Sequence, residues 1–356
     1  MAEAKSIETL SLSFTAGVAA GTMVSGLSGM LFPGLLLPLI GLPLLFWERL
    51  PQWDDKWLSG LLAAVFSVLG LFCAAARLPA PQAHSFLQAL ASQACVRLQA
   101  LIGTIPFPSA GTAPLLQALL TGDRSALSPD TVTAFRQSGA SHILALSGLH
   151  LGILYLLIDK TLSLLGRYPA VRVLRLLTIV PAALFFTLMT GASPSLVRAF
   201  LFILINEILR ICGRPRKAAR VLCLALLVQL VLDPAIIRSL GFQLSYLAMA
   251  GIFLIYPVLE RWYPGRGPLQ RIWQAAALSI SCQLTTAPLA WLRFHSFPRY
   301  FLLTNLLALP LTTCLMSSAI ATLAWSAAGN CPALLIKTTD VLCNALQRTL
   351  EIIASL

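Results

Sequence analysis

Charge is what this sequence has least of. Only 11% of its 356 residues are Asp, Glu, Lys or Arg, and the acids number 13. An ordinary soluble domain carries roughly a quarter charged residues. With 58% of residues hydrophobic, the shortage excludes both a soluble globular protein and a disordered one. Metal-ligand patterns are missing as well. The eight cysteines are scattered, and no Cys-x-x-Cys or Cys/His cluster suggests a disulfide frame or a zinc site. The four histidines form no His-x-His-x-Asp-His cluster. A Gly-rich phosphate loop of the Walker type is absent too. The expectation is therefore a chain with no metal and no cofactor. Short alternating segments, the mark of a membrane barrel, do not occur either.

What is present is a series of apolar runs, at about 10–31, 32–47, 57–77, 142–166, 172–191, 194–212, 217–232, 238–258, 272–292 and 300–327. Crossing a bilayer as a helix takes ~20 apolar residues. The pattern predicts an all-α polytopic membrane protein of roughly nine to ten transmembrane or re-entrant helices, with amphipathic interfacial helices beside them. The run at 32–47 holds Pro33, Pro38 and Pro43 and reads as a broken or re-entrant helix. The first run is read as a retained span, not a cleaved signal peptide. Its Gly17, Gly21, Ser25 and Gly29 give one smooth face for close helix packing.

Loop charge orients the chain. Residues 159–175, 210–220 and 260–271 together hold twelve Lys and Arg, whereas the turns near 192–198, 233–238 and 293–299 hold four: Arg198, Arg238, Arg293 and Arg299. The basic loops are then cytoplasmic. Most of the net charge of +12 is topological in this reading. Four regions follow: N-terminal membrane helices at 1–77, an external amphipathic helical segment at 78–141, a transmembrane channel domain at 142–327, and a C-terminal interfacial helix at 328–356. Within the second, 85–102 reads as an amphipathic helix. Ser128-Pro129-Asp130 reads as a helix N-cap with proline at the first position.

Polar residues inside spans carry the chemistry, because each is costly in lipid and needs a partner or an aqueous path. Ser147 and His150 lie three residues apart on the predicted helix 142–166. His142 shares that helix but sits ~12 Å from His150 along the axis, too far for one metal. Ser195, Arg198, Phe202 and Asn206 form one stripe of 194–212, and Ser239, Gln243 and Tyr246 align on 238–258. Gln283 and Asn305 lie in the next two spans. Ser147, Arg198, Gln243 and Asn305 fall about four to six residues from the outer ends of their helices, ~6–9 Å deep at ~1.5 Å per residue. A water-filled vestibule open to the outside accounts for this shared depth. So does a set of interhelical hydrogen bonds, with Arg198 snorkelling to the interface. Ser147 and His150 also have the composition of an activated nucleophile, although that spacing on one helix belongs more often to packing or a pore wall.

Several collinear elements carry a resemblance. They are Leu119 to Arg124 (LLTGDR), Phe135 to His150 (FRQSGASHILALSGLH), Ser193 to Ala199 (SPSLVRA), Gly213-Arg214-Pro215, Asp233-Pro234, Gly241 to Ala248 (GFQLSYLA), Pro288, Phe294, and Asn305 to Pro310 (NLLALP). Over roughly 115–325 the chain resembles the competence domain of the ComEC family, the DNA-internalisation channels of bacterial transformation. The resemblance implies a multi-pass protein of the bacterial cytoplasmic (inner) membrane that conducts single-stranded DNA, and it implies no catalysis. Arg198 would meet phosphates, and Phe242, Tyr246, Trp291 and Phe294 are stacking candidates. Many members also carry an oligonucleotide-binding-like domain and a metallo-β-lactamase-like domain, and neither pattern is found here. The implied partners are single-stranded DNA, membrane lipid, and a separate DNA receptor, nuclease and cytoplasmic helicase or DNA-binding protein. Self-association into a homo-oligomer is a further alternative. A transporter of another polar or anionic solute on the same scaffold is the competing function.

Overall fold

A computed structural model describes residues 2–23, 63–70, 86–166, 168–213, 217–263, 265, 267–295 and 298–356. The expected re-entrant run 32–47, Ser25, Gly29, Arg167, Arg214, Arg216 and Arg266 lie outside the described residues. Among those described, the fold is all-α with no strand.

In chain order the helices are α1 (Ala2–Met23), α2 (63–70), α3 (Phe86–Thr104), α4 (Thr112–Thr121), α5 (Pro129–Gln137), α6 (Ser141–Leu144), α7 (Gly148–Ser163) and α8 (Pro169–Met189). They continue as α9 (Pro194–Ile211), α10 (Ala218–Leu232), α11 (Leu240–Leu254), α12 (Tyr256–Glu260), α13 (Pro268–Phe294), α14 (Phe301–Ala327) and α15 (Ala333–Ala354), with a 3-10 turn at Pro234–Arg238 before α11. Three of them, α8, α13 and α14, are long and apolar enough to cross a membrane. They also leave large apolar side chains exposed, among them Leu177, Leu284 and Leu307. In water that would be costly, whereas lipid accepts it. The protein is an all-α membrane protein. Pro181, Pro288 and Pro310 sit inside these three helices. Each removes a backbone bond, which membrane helices tolerate when neighbouring groups re-satisfy the freed carbonyl.

The chain divides into two compact units. One comprises 1–83 and 201–243. Here α1 packs along α10 and the 3-10 turn. A Cβ added at Gly17 would run into the backbone of Ser67, and one at Gly70 into that of Phe14. The small-residue face expected of the first run thus lets α1 and α2 touch backbone to backbone at Gly17.

The other unit comprises 84–200 and 244–356. Its core joins Ile102 of α3, Leu115 and Leu119 of α4, Phe135 of α5, Ile143 of α6, Leu315 of α14 and Leu346 of α15. Between helices in lipid, apolar burial gives little drive, and close packing and hydrogen bonds matter more. The densest such bonding surrounds Asp340 on α15, which is 5% exposed. Its carboxylate accepts from Ser109 N–H at 3.1 Å, Ser109 Oγ at 2.9 Å, Thr112 Oγ1 at 2.5 Å and Asn344 Nδ2 at 3.1 Å. The N-cap residue of α4, Gly111, has no side chain to cap the helix; Asp340 instead fixes the entry to α4 from another helix, through Ser109 and the Thr112 hydroxyl. The adjacent Thr339 hydroxyl meets those of Ser318 at 2.6 Å and Thr322 at 2.8 Å on α14. The α3–α4 hairpin therefore inserts its connecting loop, 105–111, against the flank of α15.

One expectation needs correcting. The periodicity of 142–166 predicts a single helix, but the chain makes two. α6 ends at Leu144, Ala145 is extended, and α7 begins at Gly148. His142 and His150 thus lie on different helices. Ser147 does not sit on a helix face but caps α7 from the extended conformation, at φ −131° and ψ 172°.

Candidate functional site

The cap of α7 is where the predicted residues begin to converge. Ser147 Oγ accepts from Leu149 N–H at 3.3 Å, and the Ser147 N–H donates to His150 Nδ1 at 3.3 Å. Together they form a capping box with histidine in the place usually taken by Glu or Gln. The same Nδ1 also lies 3.3 Å from Ser147 Oγ, so the serine hydroxyl and the imidazole are in hydrogen-bond contact within the cap. His150 is 1% exposed, and its Nε2 has no hydrogen-bond partner.

Arg198 reaches this cap from α9. Its Nη2 lies beside Gly148, where an added Cβ would be 3.7 Å away, and Ala199 Cβ would be 3.4 Å from the same point. Arg198 Nε donates to Ser245 Oγ on α11 at 2.7 Å. The guanidinium carbon lies 5.8 Å from the Tyr246 ring centroid, a cation–π contact worth about 0.5–2 kcal/mol. Arg198 thus turns to α11 and the first turn of α7 and is half-buried. A cation held at the positive end of a helix dipole is a disfavoured pairing unless an anion joins them. Chemically the arrangement favours a phosphate or another anion.

The remaining predicted residues are placed elsewhere. Ser195 shares the first turn of α9 with Arg198 and is half-buried. Asn206 lies further along α9, in the stretch that belongs to the other unit. Gln243, also in that unit, donates through Nε2 to the Ile237 carbonyl at 2.8 Å. It secures the 3-10 turn to the start of α11, where Ser239 Oγ accepts from Phe242 N–H at 3.2 Å. Gln283 lines a separate, mostly apolar cavity of about 650 Å³ with Ile280, Leu284, Ala287, Pro288, Trp291 and Phe301. Asn305, on the first turns of α14, keeps a buried Oδ1 without a partner.

Three residues escaped the sequence reading. Ser245 stands one position before Tyr246, off the stripe of Ser239, Gln243 and Tyr246 read for 238–258. Gly148 looked like a helix-interior glycine. Glu207 is 0% exposed on α9 and pairs with Arg210 Nη1 at 3.2 Å. The signal was available, since Glu207 is the lone acid in the apolar run 194–212. Arg175 likewise pairs with Asp159. Two of the cations counted in the basic loops are therefore neutralised locally. Among the described residues, no group of three or more His, Cys, Asp or Glu could hold a metal ion.

The chain is 29% identical over 208 residues to ComE operon protein 3 of Bacillus subtilis (strain 168), which is 58% of this chain and 26% of that protein. It is 31% identical over 173 residues to Competence protein ComA of Neisseria gonorrhoeae, covering 47% of this chain and 25% of that one. It is 26% identical over 202 residues to the Escherichia coli (strain K12) Uncharacterized protein YcaI, covering 54% and 26% respectively. The chain spans about a quarter of the length of these relatives. No solved structure matches it. The family model described as Competence protein matches residues 119–356, two-thirds of the chain, from the Gly122-Asp123-Arg124 turn through Ser147, Arg198 and Tyr246 to the end of α15. On that match, the chain belongs to the Competence protein family.

Proposed function

We propose that this protein takes part in DNA uptake during natural transformation, as the membrane-embedded path by which single-stranded DNA enters the cytoplasm. The observation that carries the reading is the family match over 119–356, because it contains the whole Arg198 group. Arg198 is the phosphate contact, Tyr246 the aromatic face beside it, and the first turn of α7 supplies the dipole. Ser147, His150, Ser195, Gln283 and Asn305 line or shape the path. The basic loops face the cytoplasm, and the membrane is the bacterial inner membrane, crossed several times. Segment 78–141 enters from the outer side with its α3–α4 hairpin inserted into the bundle. The reading contains no catalytic step by this chain. Strand capture, degradation of the complementary strand and the pulling force fall to a separate receptor, nuclease and helicase.

The test is complementation of a deletion strain in a transformable host, read as transformation frequency and as labelled strand reaching the cytoplasm. Arg198→Ala should abolish or sharply reduce uptake at normal protein abundance. Arg198→Lys should keep part of it, because charge survives while the planar fork is lost. Arg238→Ala, at the end of the 3-10 turn, should matter less. Undiminished uptake by the deletion strain sinks the reading, and loss of a different anion's transport instead would favour the competing solute transporter.

A further inference from the structure

Local signals only partly account for the break between α6 and α7. Ser147 caps α7 and Gly148 is a poor helix former, but Ala145 and Leu146 are among the strongest helix formers and would let α6 run on. In an uninterrupted helix the Gly148 N–H would donate to the Leu144 carbonyl four residues back. Here that carbonyl is occupied from outside, by Arg124 Nη2 at 2.8 Å.

The turn that presents Arg124 is itself fixed. Gly122 ends α4 in the left-handed conformation at φ 81°, with its N–H donating to the Ala118 carbonyl at 3.1 Å. A Cβ at Gly122 would stand 2.6 Å from Leu146 Cδ1. Glycine therefore serves both the φ and the close approach of the 145–147 linker. Asp123 accepts from Ser125 N–H at 2.9 Å and from Gln99 Nε2 at 3.2 Å, which ties the turn to α3. On the other side of the break, Gly148 stands against Arg198 and Ala199.

We propose that Arg124 is a positioning residue: by occupying the Leu144 carbonyl it holds α6 and α7 apart and sets the first turn of α7 against Arg198. Without it, Gly148 N–H takes the Leu144 carbonyl, residues 141–163 join into one helix, and the Ser147 cap is lost. The consequence for transport rests on the function proposed above, but the break itself does not.

Hydrogen exchange on the full-length, detergent-solubilised chain separates the two. In Arg124→Ala, amides 145–148 should exchange more slowly, on the order of tenfold, because Leu146, Ser147 and Gly148 then take the i to i−4 bonds of a continuous helix. A residue that merely stabilised the fold would give faster exchange when removed. Arg124→Lys, which keeps a cationic donor, should stay near wild type. The double variant Arg124→Ala/Gly148→Pro should return the linker to wild-type exchange. Proline has no N–H to give Leu144 and is favoured at the first helical position. Ser147 already has the extended backbone that precedes proline, and a Cβ at 148 meets nothing closer than 3.4 Å. Unchanged or faster exchange at 145–148 in Arg124→Ala overturns the proposal. If that variant also loosens α15, the double variant decides. Protection regained in α15 supports the proposal, and continued loss overturns it.

Discussion

Asp340→Ala should be among the most destabilising single substitutions in this protein. The carboxylate serves four donors, from Ser109 twice, Thr112 and Asn344. It lies 5% exposed, so water does not replace it when it is removed. A hydrogen bond to a charged group contributes about 1.5–3 kcal/mol, and a buried donor left without an acceptor costs about 1–3 kcal/mol. These terms overlap, since Ser109 and Asn344 also bond each other at 2.7 Å. An overall loss of about 3–5 kcal/mol is the consistent figure. At ~2 °C per kcal/mol for a larger domain, Tm should fall by roughly 6–10 °C. Asp340→Asn should cost about half as much. Its amide NH2 can face the Ser109 hydroxyl and a reversed Asn344 amide, while its oxygen keeps Ser109 N–H and Thr112. Cys343 is the natural reporter, being 0% exposed and on the same helix. With Cys343 as the sole thiol, its reaction with a fluorogenic maleimide during heating reports the opening of the α4–α14–α15 core. An Asp340→Ala protein that melts with wild type would refute the reasoning, because four buried donors would then be finding other partners at no cost.

Two further outcomes are expected. A cysteine at Ala110 should resist a membrane-impermeant reagent added outside intact cells, while one at Thr131 should react. The loop 105–111 is held at Asp340, beside Thr339, and Thr339 bonds Ser318, which lies 17 residues from the start of α14, about 26 Å along it; equal labelling at both positions would remove the inserted hairpin. The Asp123 carboxyl is held below the ordinary carboxylate range by the Ser125 backbone and side chain. It therefore contributes stability above that range and loses the contribution as pH falls through its lowered value. The Tm difference between wild type and Asp123→Asn should be constant from about pH 7 to 5 and close below about pH 4, and a difference that grows on acidification would contradict the bond.

Local signals account for what the sequence alone determined. The shortage of charge settled the solvent. Apolar length located α8, α13 and α14 to within a few residues, because a bilayer demands a fixed run whatever surrounds it. Ser128 before Pro129 marked the start of α5, and its Oγ does accept the Thr131 N–H at 3.2 Å. A cap is a contract between neighbours and needs no tertiary knowledge. The family motifs were legible for a related reason, as fixed strings. What the tertiary structure decided lies where a distant group competes with a local one. Arg124 takes a carbonyl from Gly148 and turns one expected helix into two. Ser245, 47 residues from Arg198, chooses which way that arginine points. Asp340 fixes the start of α4 from 228 residues away, through the Thr112 hydroxyl. In each case the local chain permits more than one conformation of nearly equal energy, and a single buried hydrogen bond, strong because water is excluded, selects among them.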